Sequence, residues 1–157
     1  IFDEFNIEAW DESIEVNLTG SYISCVTVLP TMLKQKNGKI INIASHYGVV
    51  SPNHKLYVNE TFNCPLSYST SKTAIIGLTK WIATKYAKNG IRANCISPGG
   101  VQNNQSKSFI KKYSLTNPIG KMANKSDING LLMYLISDES DYILGHNFIV
   151  DGGSSVW

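Results

Sequence analysis

The run Gly38-Lys39-Ile40-Ile41-Asn42-Ile43-Ala44-Ser45 is apolar at most positions and follows a glycine turn. A short, β-branched, nearly unbroken apolar run of this kind fits a strand buried on both faces, as in a parallel sheet. Ile91-Arg92-Ala93-Asn94-Cys95-Ile96 repeats the pattern, and Asn147 to Val150 gives a third apolar run. Outward from these strands the periodicity changes to three- and four-residue steps. Phe2 to Lys36 reads as one long helix, started by Asp3 or Asn6, kinked at Pro30 and ended by Asn37-Gly38. A second helix runs from Tyr68 to Lys88 and stops at Asn89-Gly90. A short helix near Ser106 to Tyr113 lies in a polar, lid-like stretch from Gln102 to Ala123. A further helix, Asp127 to Ser137, has Ser126 as its cap. Strands that alternate with helices imply an α/β fold: one parallel sheet with helices against it.

Composition bounds the partners. The chain has 157 residues, 43% hydrophobic and 17% charged, enough for one core. A net charge of +2 gives no footprint for nucleic acid or an anionic membrane. No apolar run reads as long enough to span a bilayer. Cys25, Cys64 and Cys95 are odd in number and widely spaced, which points to a reducing cytoplasm. No metal site is expected, because His46 and His54 have no third ligand at a suitable spacing. The apolar band of the Tyr68–Lys88 helix is wide enough to meet both the sheet and a partner subunit, so a homodimer or homotetramer is expected.

The chemistry gathers at the sheet's C-terminal edge, where α/β proteins build their sites. Ser45 leaves the first strand there; as a bare residue it reads equally as a turn cap or a site hydroxyl. Tyr68-Ser69-Thr70-Ser71-Lys72 puts a phenol and an amine one helical turn apart, on one face. A cation ~5 Å away at an effective dielectric of ~20 favours a phenolate by ~3 kcal/mol. That moves a phenol towards the range where acid–base catalysis is efficient. A Tyr and a Lys four apart also occur often by chance. Asn17, mid-helix among apolar neighbours, reads alone as a buried Asn bonded within its own helix. Ser97-Pro98-Gly99-Gly100-Val101 ends the second strand as a tight turn or a loop touching a ligand. The connection from His46 to Ser67 is long for this position and reads as a substrate wall.

Five pieces in order resemble the short-chain dehydrogenase/reductase family: Val16-Asn17-Leu18-x-Gly20, Gly38 to Ser45, Tyr68-x-x-x-Lys72, Ile91 to Gly99, and Ile149-Val150-Asp151-Gly152-Gly153. The resemblance covers nearly the whole chain. It implies a Rossmann-like sheet, an NAD or NADP cofactor, and interconversion of an alcohol and a carbonyl on a small-molecule substrate. Tyr68 would be the general acid–base. Lys72 would favour its phenolate and hold the nicotinamide ribose hydroxyls. Ser45 would orient the reacting oxygen, and Asn17 would fix a water linking Lys72 to solvent. Pro98, Gly99 and Val101 would line the nicotinamide.

Two departures accompany the resemblance. The family's Gly-rich phosphate turn and Asn-Asn-Ala-Gly strand end are not in this sequence, nor is the residue that separates NAD from NADP. Residues 1–157 therefore read as the C-terminal part of a single Rossmann-like domain whose N-terminal half is missing; alone it should be inactive. The alternative is a truncated, non-catalytic fragment with a structural or regulatory role. Second, Val49 to Pro65 resembles an insertion. With Gly100 to Gln105 in place of the family's usual Thr, it is similar to a subgroup near bacterial surface-sugar and flagellin-glycan synthesis. A sugar or sugar phosphate would then be the substrate. His46, Tyr57, Asn59, Asn104 and Gln105 would meet it, and Lys111 or Lys112 would meet a phosphate.

Overall fold

The structure, a computed structural model, describes residues 6–157. The expected helix start at Phe2 and the Asp3 cap lie outside them. Asn6 is the cap: its side chain accepts from the backbone N–H of Glu8 at 2.8 Å and of Ala9 at 3.3 Å, satisfying donors a helix start leaves unpaired. Helix α1 (Ile7–Ile14) runs through a π-helical turn, Glu15–Thr19, into α2 (Gly20–Gln35). Pro30 sits inside α2 without ending it.

Two corrections concern this helix. Its left-handed terminal residue is Lys36, at φ 53°, rather than Asn37 or Gly38. Gly38 is already in the sheet, its N–H donating to the Gly90 carbonyl at 3.3 Å. Gly90, at φ 81°, is needed there, because a Cβ would overlap the Lys36 carbonyl. In addition, the helix from Ile7 to Gln35 spans 29 residues with a window of mean hydropathy 1.2, long and apolar enough to cross a membrane. The expectation of no such run fails on length and composition. Cys25 and Leu29 of this helix are nevertheless buried against the sheet and α3, so it serves here as a layer of the fold.

Strands β1 (Gly38–Ile43), β2 (Ile91–Pro98) and β3 (Asn147–Val150) form one parallel sheet in that order. Ile40 pairs with Ala93, Ile43 with Ile96, and Pro98 with Val150. The second strand thus continues through Pro98, not only to Ile96. A proline in the last position forfeits only a donor, and the Gly99 N–H continues the ladder to the Val150 carbonyl at 2.9 Å.

Helix α3 (Leu66–Tyr86) links β1 to β2, and α4 (Lys107–Leu115) and α5 (Asn129–Ile136) link β2 to β3. The turn before α5 is capped by Asn124 and Asp127 rather than by Ser126. On one face of the sheet, Ile40, Ile91 and Ala93 pack against Cys25, Leu29, Ile82 and Ala83. Asn42 points into the same layer and donates to Thr79 Oγ1 at 2.9 Å, so its burial leaves no orphan amide. The opposite face carries α5, where Leu135 is fully buried, and Lys39, whose ammonium bonds the Ser137 carbonyl and Asp141. That face is only partly covered: Ile43 is 47% exposed and Ile136 45%. The expectation that β1 is buried on both faces therefore holds on the α2–α3 side alone.

Candidate active site

The site grows from the ends of β1 and β2 and the first turns of α3. The Ala44 N–H donates to the Ile96 carbonyl at 2.8 Å, so pairing reaches one residue past β1 and delivers Ser45 to the sheet edge. Ser45 is extended and buried. Its Oγ accepts from the Tyr47 N–H at 3.2 Å, capping the turn His46–Gly48. It is thus a turn cap, and with an acceptor lone pair used by Tyr47 the Ser45 hydroxyl keeps its own proton to donate.

The turn after Ser45 is seated directly on α3. A Cβ on Gly48 would lie 2.9 Å from the Lys72 carbonyl carbon. Thr73 Oγ1 donates to the Gly48 carbonyl at 3.0 Å. Only glycine lets the two backbones come this close.

Helix α3 starts at Leu66, two residues before Tyr68, so the Tyr and Lys fall in its first two turns. Ser67, Ser71, Ile75, Thr79 and Ile82 form its buried seam. Ser71 is fully buried and donates to the Tyr68 carbonyl at 2.8 Å. With that seam fixed on the sheet, Tyr68 and Lys72 are held on the adjoining flank. Lys72 Nζ sits 5.6 Å from the Tyr68 ring centroid and donates to the Ile43 carbonyl at 3.1 Å. Burial lowers the proton affinity of Lys72 below that of an ordinary lysine, partly offset by Cys95. An ammonium has three N–H donors. Ile43 takes one, which leaves two for a pair of vicinal hydroxyls such as those of a ribose.

Ser45, Tyr68 and Lys72 line one cavity of about 450 Å³, together with Pro98, Gly99 and Val101. All six residues expected to carry catalysis or line the nicotinamide at these two strand ends therefore meet. A larger cavity, about 850 Å³, lies between α1, the turn at 47–52 and the start of α3. It contains none of Ser45, Tyr68 or Lys72, all three of which line the smaller one. Asn17 sits in the π-helical turn and lines neither. Its Nδ2 lies 3.4 Å from Ser13 Oγ, and its carbonyl accepts from Ser21 Oγ at 2.6 Å.

Of the expected substrate residues, His46, Tyr57 and Gln105 line the cavity. His46 is buried, with Nδ1 3.2 Å from the Pro98 carbonyl, so Nδ1 carries a proton and ties the Ser45 turn to the β2 exit. Burial lowers its proton affinity and keeps it neutral. Tyr57 donates to the Tyr47 hydroxyl at 3.4 Å. Gln105 spends its amide locally, on the Val101 carbonyl at 3.1 Å and the Asn103 N–H at 2.6 Å. Asn104 and Asn59 are exposed and do not line the cavity. Lys111 is exposed as well. Lys112 is engaged with Glu60 at 2.9 Å and the Val58 carbonyl at 2.6 Å.

Sequence reasoning missed Phe62, Phe109, Tyr113 and Met122, which complete the cavity wall. Phe109 and Tyr113 are the buried residues of α4. Their four-residue spacing was a signal inside a stretch otherwise polar. The Gly99-Gly100 pair also answers to this wall: a Cβ on Gly100 would lie 2.7 Å from the Tyr113 ring, and its N–H donates to the Tyr113 hydroxyl.

The chain belongs to the short-chain dehydrogenase/reductase family. A family model described as Enoyl-(Acyl carrier protein) reductase matches residues 2–155. Dehydrogenase/reductase SDR family member 6 of Xenopus laevis is 39% identical over 157 residues, across 94% of this chain and 60% of the relative. Post-translational flagellin modification protein A of Campylobacter coli is 34% identical over 150 residues, across 96% of this chain and 59% of the relative. Among solved structures, a short-chain dehydrogenase from Leptospira borgpetersenii serovar Hardjo-bovis with bound NAD+ superposes with a TM-score of 0.92 at 36% identity. The match covers 99% of this chain and 59% of that one. The chain thus spans about 60% of the length of the curated relatives it matches.

Proposed function

We propose that this chain carries the catalytic end of a Rossmann-like domain in an NAD- or NADP-dependent oxidoreductase that interconverts an alcohol and a carbonyl. The observation that carries the reading is the Lys72 ammonium set beside the Tyr68 ring, in one cavity with Ser45. The bound nicotinamide would supply the acceptor or donor of hydride at the substrate carbon. In the oxidising direction, Tyr68 takes the proton of the substrate hydroxyl. Lys72 stabilises the charge on the Tyr68 oxygen through space, and its two remaining donors hold the ribose hydroxyls. The Ser45 hydroxyl donates to the reacting oxygen as its charge develops. Pro98, Gly99 and Val101 form the surface against which the nicotinamide lies. Asn17 holds a water that connects Lys72 to solvent.

A sugar substrate in surface-glycan synthesis is supported by the likeness to the flagellin modification protein and by the aromatic wall, which suits a ring. A homodimer or homotetramer is supported by the exposed apolar residues Tyr22, Ile23 and Val26 on α2 and Trp81 on α3. The unpaired cysteines support a cytoplasmic location. The decisive experiment uses the full-length enzyme with Tyr68→Phe. Turnover should disappear while cofactor affinity, read by calorimetry, stays within about twofold. Near-normal turnover would refute the assignment.

A further inference from the structure

The wall opposite Tyr68 is a single clamped unit made from the 49–65 connection and helix α4. Glu60 is the clasp: its carboxylate accepts from Ser106 Oγ at 2.6 Å and from Lys112 Nζ at 2.9 Å. Both bonds hold it below the usual carboxylate range, Ser106 most. Behind the clasp, Leu56, Phe109, Tyr113 and Met122 are buried together. In front of it three rings gather: Phe62 lies 5.0 Å from Phe109 and 5.8 Å from Tyr57, and Tyr57 lies 5.4 Å from Phe109, between ring centroids.

Most hydrogen bonding along this wall is local, and the donors it keeps, the Tyr47 and Tyr113 hydroxyl protons, are neutral. The Tyr57 hydroxyl donates to Tyr47, the Tyr113 hydroxyl accepts from Gly100, and Gln105 is bonded at both ends of its amide. Lys72 is the one cationic side chain among the residues lining the cavity, and it stands at Tyr68 rather than at the wall. A phosphate or carboxylate pressed against these rings would lose its water and gain no counter-charge. A flat C–H or ring face would instead meet tilted aromatic rings at their preferred spacing.

We propose that this wall selects an uncharged cyclic alcohol or ketone, and that Phe62 is its specificity-determining residue. A phosphorylated sugar is thereby set aside in favour of a neutral ring. The proposal deepens the oxidoreductase reading and rests on it for the atom that reacts, but its test does not need turnover.

The full-length protein carrying Tyr68→Phe, which would not consume the probe, is titrated by calorimetry with a matched pair. One probe is the methyl ester of a cyclohexanone carboxylic acid; the other is the free carboxylate. The neutral ester should bind about tenfold more tightly, and Phe62→Ala should remove that preference. Phe62 is 39% exposed and outside the buried clusters, so the variant keeps the core. Equal or tighter binding of the carboxylate, or a preference untouched by Phe62→Ala, would overturn the proposal. Hydride transfer to the ester by the unsubstituted enzyme is scored separately. Selective binding without transfer would sustain the wall and sink the oxidoreductase reading.

Discussion

On one side of the cavity, Ser45, Tyr68 and Lys72 hang from backbone that the sheet fixes. Ser45 follows a paired strand, and the α3 seam of Ser71, Ile75 and Thr79 is almost wholly buried. On the other side, Tyr57, Phe62 and Phe109 are held by one another and by the Glu60 clasp. The first side resists movement because shifting it would break strand pairing and a packed core. The second is tied to the sheet less directly, through one ion pair whose Glu60 side chain is 4% exposed and Lys112 side chain 32%, and through ring contacts rather than strand pairing. If the proposed function holds, a fixed catalytic end facing a differently anchored wall would let one chemistry serve different substrates.

The sharpest way to break this contrast is Tyr68→Phe, expected to cost about a thousandfold or more in kcat with no change in melting temperature. A comparable loss from any single wall variant would erase the distinction. Next comes Gly48→Ala. The added Cβ drives into the Lys72 backbone, an overpacking cost of about 1–3 kcal/mol. The Thr73–Gly48 hydrogen bond contributes only about 1 kcal/mol, so the turn gives way before α3 does. Ser45 then shifts, kcat falls, and denaturant unfolding shows the lost stability; unchanged kcat would mean the turn does not position Ser45.

Glu60→Gln acts on the other side. Lys112 and Ser106 lose a charged acceptor, the wall loosens, and KM should rise while kcat stays nearly constant in steady-state kinetics. The smallest effect concerns pH. Native His46 binds its proton below the ordinary value of 6.5, whereas in the unfolded chain it titrates near that value. As pH falls through about 6.5 the unfolded state binds more protons, so stability declines. Melting temperatures measured from pH 7 to 5 should fall less steeply for His46→Gln; an identical slope would remove His46 from the account.

The fixed side was legible from the sequence because its signals are local. The runs at 39–44 and 91–96 are short, apolar and β-branched, and a Tyr and a Lys four apart share a helix face whatever surrounds them. The π-helical turn at Glu15–Thr19 was not legible, since apolar residues recur at the same three- and four-residue steps on either side of it. The helix is expected to reach Lys36 and does, but its left-handed stop reads as Asn37-Gly38 because nothing local shows that Gly38 is claimed by Gly90, 52 positions later, as the first rung of the sheet. The connection from His46 to Ser67 read as a substrate wall, but its attachment to α4 was hidden for a similar reason. Glu60 and Lys112 are 52 residues apart, and nothing in the charge pattern of either segment names the other. Lys112 therefore read as a phosphate ligand, and Phe62 was not singled out within the connection that read as a substrate wall.

Cys64 stands where the two cavities share a boundary and lines both. Cys25 and Cys95 are buried, and Cys64 is only half so. Cys64 is thus the one cysteine thiol with partial exposure, at the seam between the two cavities, although burial pushes that thiol up. A small fluorophore attached there would report filling of either compartment by a change in emission, with no engineered handle.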